Sequence, residues 1–201
     1  MSRLIAVLPL TALLLLGGCA FTKSTLNVGY TDAMATRGPL SSVSPRRIDV
    51  GAFMDKRPEI ERIGYKRNMY GQKTADIVTT KPVPDIVKDA LAAEFRKNGH
   101  QLTTTAERDL VISGDVTTFW FEFQVNFWTV EFFGTSAVTL NVVDGKTGTT
   151  LLTRNYQGHY TEKSGGGLDG TWERVMNEAL QRMVREVSTD LQLIRVLKAE
   201  R

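Results

Sequence analysis

The sequence predicts an α+β two-layer sandwich: a mostly antiparallel sheet with two amphipathic helices packed on one face. Three observations predict it. Apolar residues recur at helical spacing in two stretches, one between Pro84 and Asn98-Gly99 and one from Trp172 to Leu197. The segment between them alternates with a period of two from about Leu110 to Tyr160. The resulting order of strand, helix, several strands and helix lets the helices cover one face of the sheet.

Each element has its local reason. Ile48 and Val50 alternate with Arg47 and Asp49, a half-buried strand running toward Phe53. Residues 54–82 read as a polar connection with Gly64 and Gly71 as turn points, interrupted around Ile77-Val78 by a short strand. Pro84 suits the first turn of a helix, where a missing N–H costs nothing, and Ile86, Val87, Ala90, Leu91 and Phe95 supply its apolar face. Asn98-Gly99 provides the left-handed stop. After the Leu110-Val111-Ile112 burst, Phe119, Phe121, Phe123, Val125 and Phe127 share one face of a strand and Trp120, Glu122, Gln124, Asn126 and Trp128 the other. Gly134 marks the return, Val138, Leu140 and Val142 the next strand, and Asp144-Gly145 a hairpin turn into a last strand from about Thr150. Ser164-Gly165-Gly166-Gly167 breaks the chain before one long final helix.

The first residues read differently. Arg3 precedes an apolar run from Leu4 to Leu16, shorter than the ~20 residues a membrane span needs. Leu16-Gly17-Gly18-Cys19 follows and resembles the lipobox of bacterial prolipoproteins, with Leu at −3 and a small residue at −1. The resemblance implies cleavage before Cys19 and a diacylglycerol thioether on its sulfur, usually with a third acyl chain, a palmitate-type anchor. One chain binds a membrane only marginally, whereas two or three hold firmly. Cys19 is the only cysteine, so no internal disulfide competes for it. Residue 20 is Ala rather than Asp, which in Gram-negative lipoproteins implies sorting to the outer membrane. The expected division is a signal peptide over 1–18, the lipidated cysteine and a flexible tether over 19–45, and one periplasmic domain over 46–201. Within the tether, Leu26, Val28 and Tyr30 alternate as a short edge strand would.

Composition excludes several function classes. A net charge of +3 is spread along the chain with no basic block to track a phosphate backbone, so no nucleic-acid partner is expected. Gly145-Lys146-Thr147 lacks the earlier glycine of a phosphate-binding loop, Leu140 standing in its place, and has strands on both sides. His100 and His159 lie in different elements and have no cysteine or histidine at ligand spacing, so no metal site or cofactor is expected. No nucleophile elbow occurs, and no catalytic residues are assigned. What exceeds ordinary composition is the aromatic segment, where eight of the chain's seventeen aromatics fall within 119–133. One face of that strand belongs to the core. The surplus, Trp120 and Trp128 on the polar face and Phe132 and Phe133 beside the expected turn, is the candidate surface for a protein or lipid partner.

The order and spacing of Leu16-Gly17-Gly18-Cys19, Asp55-Lys56-Arg57 with Ile63-Gly64, the helix from Asp85 to Phe95 ending Asn98-Gly99-His100, Asp109-Leu110-Val111-Ile112, the Asp144-Gly145 turn and Ile194-to-Lys198 resemble the YajG family of uncharacterised outer-membrane lipoproteins. The element order is also similar to that of the auxiliary lipoproteins of envelope ABC lipid transporters. Both resemblances imply a non-enzymatic envelope protein, a binding or assembly accessory in the first case and a lipid-transport accessory in the second. An envelope hydrolase is the third reading and would need convergent polar side chains in a cleft.

Overall fold

A computed structural model describes residues 21–68, 70–165 and 169–199, so the expected signal segment and Cys19 lie outside the described residues. Its strands are β1 (Ser24–Leu26), β2 (Arg47–Asp55), β3 (Gly64–Arg67), β4 (Lys73–Thr79), β5 (Gln101–Leu102), β6 (Leu110–Val125), β7 (Val130–Asp144) and β8 (Thr150–Ser164). The helices are α1 (Val83–Lys97), α2 (Asp169–Thr189) and α3 (Leu191–Lys198). All eight strands form one sheet built around β6. On one side β6 pairs with β7, which pairs with β8, both antiparallel. On the other side β2 runs parallel to its first half and β3 meets its second half, with Gly64 opposite Phe121. Beyond β3 lie β4 and β1.

The sheet is therefore mixed rather than mostly antiparallel. The route from β2 to β6 passes through α1, and a crossover of that kind returns the chain in the same direction it left. Among the described residues there are also three α-helices, not two. Asp190 ends the expected single C-terminal helix: its backbone is extended and its side chain accepts the Gln192 N–H, starting α3 afresh. The same carboxylate accepts the Tyr156 hydroxyl at 2.6 Å and pairs with Arg154, tying the break to β8. The segment expected to be a polar connection forms the β3–β4 hairpin. Among the described residues, no helix is long and apolar enough to cross a membrane.

One core joins both layers. Leu110, Ile112 and Val116 of β6 are buried at even positions, and Phe119 and Phe121 at odd ones. A bulge between Val116 and Thr118 makes that switch, because one extra residue exchanges the two faces of a strand. α1 packs on β2, β5 and β6, and α2 on β7 and β8. The α2 seat is unusually close. A Cβ on Gly158 would lie 2.0 Å from the Ala179 carbonyl oxygen and 2.3 Å from the Met183 nitrogen. A Cβ on Gly134 would lie 2.8 Å from the Val175 carbonyl oxygen. Between them the Ser136 hydroxyl donates to the Met183 sulfur at 3.3 Å. Gly134 thus sits in mid-strand as floor for a helix and does not mark the return. The β6–β7 turn is earlier, closed by the Asn126 N–H to the Thr129 carbonyl at 2.8 Å.

Several expected turns hold. Gly99 follows α1 with φ +92, and the Asp144 side chain accepts the N–H groups of Lys146 and Thr147, closing a hairpin turn with Gly148 at φ +74. Residues 24–43, expected as tether, are instead a strap bound across the helix layer. Leu26, Val28, Leu40 and Val43 are buried. Glu94 of α1 accepts the Tyr30 hydroxyl at 2.8 Å, Asn98 accepts the Gly38 N–H at 2.8 Å, and Asn177 of α2 accepts the Gly29 N–H at 3.0 Å. Side chains of both helices thus satisfy backbone groups that an extended segment cannot satisfy alone.

Arg57 locks the loop between β2 and β3. Its buried guanidinium donates to both carboxylate oxygens of Asp55 and to the carbonyls of Ile60, Arg62 and Phe119, so every N–H finds an acceptor. This delivers the chain to Gly64, where a Cβ would stand 2.3 Å from the Phe121 carbonyl oxygen. His100 is buried beside Phe95, its Nδ1 accepting the Arg46 N–H, and burial pushes its pKa below the usual imidazole value.

Three expectations follow for stability, each read from urea unfolding midpoints. Gly158→Val should cost about 3 kcal/mol through overpacking, whereas Gly170→Ala, with open space around it, should be close to neutral. Arg57→Met should cost about 3 kcal/mol by leaving a carboxylate and three carbonyls unpaired, with Arg57→Lys recovering only part. The unfolded chain protonates His100 near pH 6.5 while the folded chain resists, so stability should fall as pH drops below that value. His100→Gln should flatten the decline between pH 7.5 and 5.5.

Candidate functional site

Strands β6 and β7 are longer than the helix layer that covers them, and the candidate residues separate accordingly. Phe121 and Phe132 are buried and stacked at 6.2 Å between ring centroids. Phe123 is half-buried and lies flat on Trp172, the first large side chain of α2. Among the described residues α2 reaches only three residues past Trp172, to Asp169, and Val125, Phe127 and Trp128 are exposed. Phe127 is 87% and Trp128 83% accessible, and the two rings meet edge-to-face at 4.6 Å. Two aromatic rings packed on each other at a four-residue turn shield one another but present most of their surface outward.

The structure does not gather the four residues singled out from the sequence. Trp128 is at the hairpin tip. Phe132, at 2% exposure, is core and leaves the candidate set, because it faces α2 on the strand opposite Phe123. Trp120 and Phe133 are half-buried on the uncovered face, Trp120 edge-on to Tyr65 at 5.7 Å. Alternation assigns Phe127 and Val125 to the core face, yet both are exposed, since parity decides which face a residue takes but not whether anything covers it. Tyr70, 81% exposed at the tip of the β3–β4 hairpin, carried no periodic signal at all.

Next to Trp120 a cleft of about 300 Å³ is lined by Arg57, Glu59, Thr117, Thr118 and Phe119. Its charged groups are engaged within the fold. Arg57 holds Asp55, and Glu59 accepts from the Tyr65 hydroxyl and from Arg62. Those donors, Tyr65 first and Arg62 next, hold the Glu59 carboxyl below the usual carboxylate range. Arg62 also pairs with Asp76 at 3.0 Å, and the Lys73 ammonium lies 3.8 Å from the Tyr65 ring centre. The cluster staples β3 to β4. His159 is on the uncovered face with its Nδ1 2.9 Å from the Thr135 hydroxyl, while His100 is buried in the core. Among the described residues, no group of three His, Cys, Asp or Glu side chains is placed to hold a metal ion.

The arrangement is thus an α+β body with one aromatic end. A Xanthomonas campestris protein of the DUF330 family shares this fold, with a TM-score of 0.57 at 12% identity, over 83% of this chain and 92% of that one. A minor lipoprotein from Acinetobacter baumannii aligns at 11% identity with a TM-score of 0.48, over 79% of this chain and 99% of its own. No curated protein matches the sequence. A family model described as "Uncharacterized lipoprotein" matches residues 48–198, which takes in every strand and helix from β2 to α3. The chain belongs to this family of uncharacterised bacterial lipoproteins, the one to which the YajG resemblance pointed.

Proposed function

We propose that this lipoprotein is a non-catalytic accessory of the cell envelope, fixed to the outer membrane through acyl chains on Cys19, its domain facing the periplasm to bind or help assemble an envelope component. The observation that carries the reading is the exposed group Val125, Phe127 and Trp128, gathered at one hairpin tip while most aromatic rings of the domain are packed or half-covered. An apolar cluster left in water at a hairpin tip marks a contact surface. Supporting it, the polar residues that could build a reaction centre serve the architecture: Arg57 and Asp55 close a loop, Glu94 and Asn98 hold the strap, and Asp190 caps α3. Ala20 after Cys19 favours the outer membrane as destination.

A role in an ABC lipid-transport system would call for an open apolar groove along the aromatic strand. Phe119, Phe121 and Phe132 lie there in packed core, with Trp172 against Phe121. The accessory reading is therefore preferred.

Fractionation tests the anchor. The native protein should sediment with outer membranes and carry the added mass of two or three acyl chains, and Cys19→Ser should move it to the soluble periplasm. Crosslinking in cells should then return a recurring envelope component with the native protein; a C19S protein that stays membrane-bound contradicts the proposal.

A further inference from the structure

The strand register places five exposed apolar side chains at one end of the molecule, the end at which the described chain begins. Ser24, Ile77, Gly64, Phe121, Gly134 and Tyr160 face one another in turn across β1, β4, β3, β6, β7 and β8, and so mark a single row across the sheet. From this row β6 runs on to Val125 and the Phe127-Trp128 turn. β3, parallel to β6, runs on to Arg67 and the turn bearing Tyr70. β1 runs the opposite way, so it is the chain preceding Ser24, Lys23 and the exposed Phe21, that lies in the same direction. Cys19 precedes Ser24 by five residues, at most ~18 Å of chain. Val125 stands four residues beyond Phe121, ~13 Å along its strand. Sheet twist of ~20–25° per neighbour, summed over the three pairings from β6 to β1, keeps the two exits on the same side of the molecule.

Among the described residues, eight large apolar side chains are exposed, and five of them, Phe21, Tyr70, Val125, Phe127 and Trp128, lie at this end. Lys23, Lys66, Arg67 and Lys73 accompany them, and residues 64–73 contain no acid. Tyr and Trp concentrate where protein meets the headgroup layer of a bilayer, and basic side chains there reach lipid phosphates. A protein partner's pocket would need one compact patch. Here the apolar groups stand on separate hairpin tips and on the chain next to Cys19, an arrangement suited to a plane.

We propose that this end, with Trp128 and Phe127 deepest and Tyr70 beside them, inserts into the headgroup region of the membrane that holds the Cys19 acyl chains. The proposal rests on the anchored-accessory reading and names the lipid surface as what the exposed aromatics contact. The acyl chains supply affinity, and the tips set orientation: strands β6 to β8 stand toward the bilayer normal, and the 144–149 turn points away from it.

The test uses the full acylated protein reconstituted in phosphatidylethanolamine–phosphatidylglycerol vesicles, with and without lipid brominated near the headgroup. Trp128→Phe leaves Trp120 and Trp172 in place as internal controls. Tryptophan emission should shift to the blue on reconstitution and be quenched by brominated lipid, and W128F should lose most of that quenching while still floating with the vesicles. Flotation with no quenching, or equal quenching in W128F, overturns the insertion and leaves the tip for a protein partner. Failure of the native protein to float overturns the anchoring reading and the insertion together.

Discussion

The close seat of α2 on β7 and β8 is the contact on which the rest of the molecule depends. Gly134, Ser136 and Gly158 clear a floor on the sheet so small that helix backbone rests on strand backbone. Val175, Met176, Ala179, Leu180 and Met183 are buried as a result. Interiors pack at near-crystalline density, so a floor one methyl higher would lift the whole helix. Lifting it would also disturb the strap, whose Gly29 is held by Asn177, and would open the core toward α1. Three small residues therefore govern the spacing between two layers.

Around that seat, polar chemistry is used to fasten irregular chain. The loop after β2 and the strap over the helices both carry backbone groups with no ladder to join. Arg57 donates to the Ile60 and Arg62 carbonyls of the first, and Glu94, Asn98 and Asn177 supply acceptors to the second. The Asp55-Lys56-Arg57 signature that carried part of the family resemblance thus has a structural explanation in its first and third residues. The sheet's uncovered face is treated differently, with short side-chain ladders such as Thr139 to Asn155 and Thr153 to Asn141. Those pairs stabilise a surface that water still reaches.

Most of the architecture could be read from residue order. The helix from Pro84 to Asn98-Gly99, the long alternating strands and the Asp144 turn are local signals, each needing only a few neighbouring residues. What escaped depended on partners distant in sequence. The parallel pairing of β2 with β6 is not written in either strand, the bulge at Thr117 has no side-chain signature, and Gly134 looks like a turn residue until α2 is seen above it. The strap reads as linker because its acceptors sit more than fifty residues away on α1 and more than one hundred away on α2. At the aromatic segment, composition identified the region and alternation the faces, but the tip became visible only from where α2 begins to cover the sheet. Trp128 was found from sequence, whereas Phe127 and Tyr70 needed the register.

Strand β8 ends the sheet with fifteen residues that pair on one side only. Such a border is a template on which another chain can add, and molecules confined to a bilayer meet far more often than free ones do. Here the border is occupied by its own neighbours. Glu186 accepts the Gln157 N–H at 2.5 Å, and the Arg182 guanidinium donates to the His159 carbonyl at 3.0 Å. Side chains from the overlying helix thereby consume two of the bonds an incoming strand would seek. An incoming strand would thus meet a margin whose middle is already bonded to the overlying helix.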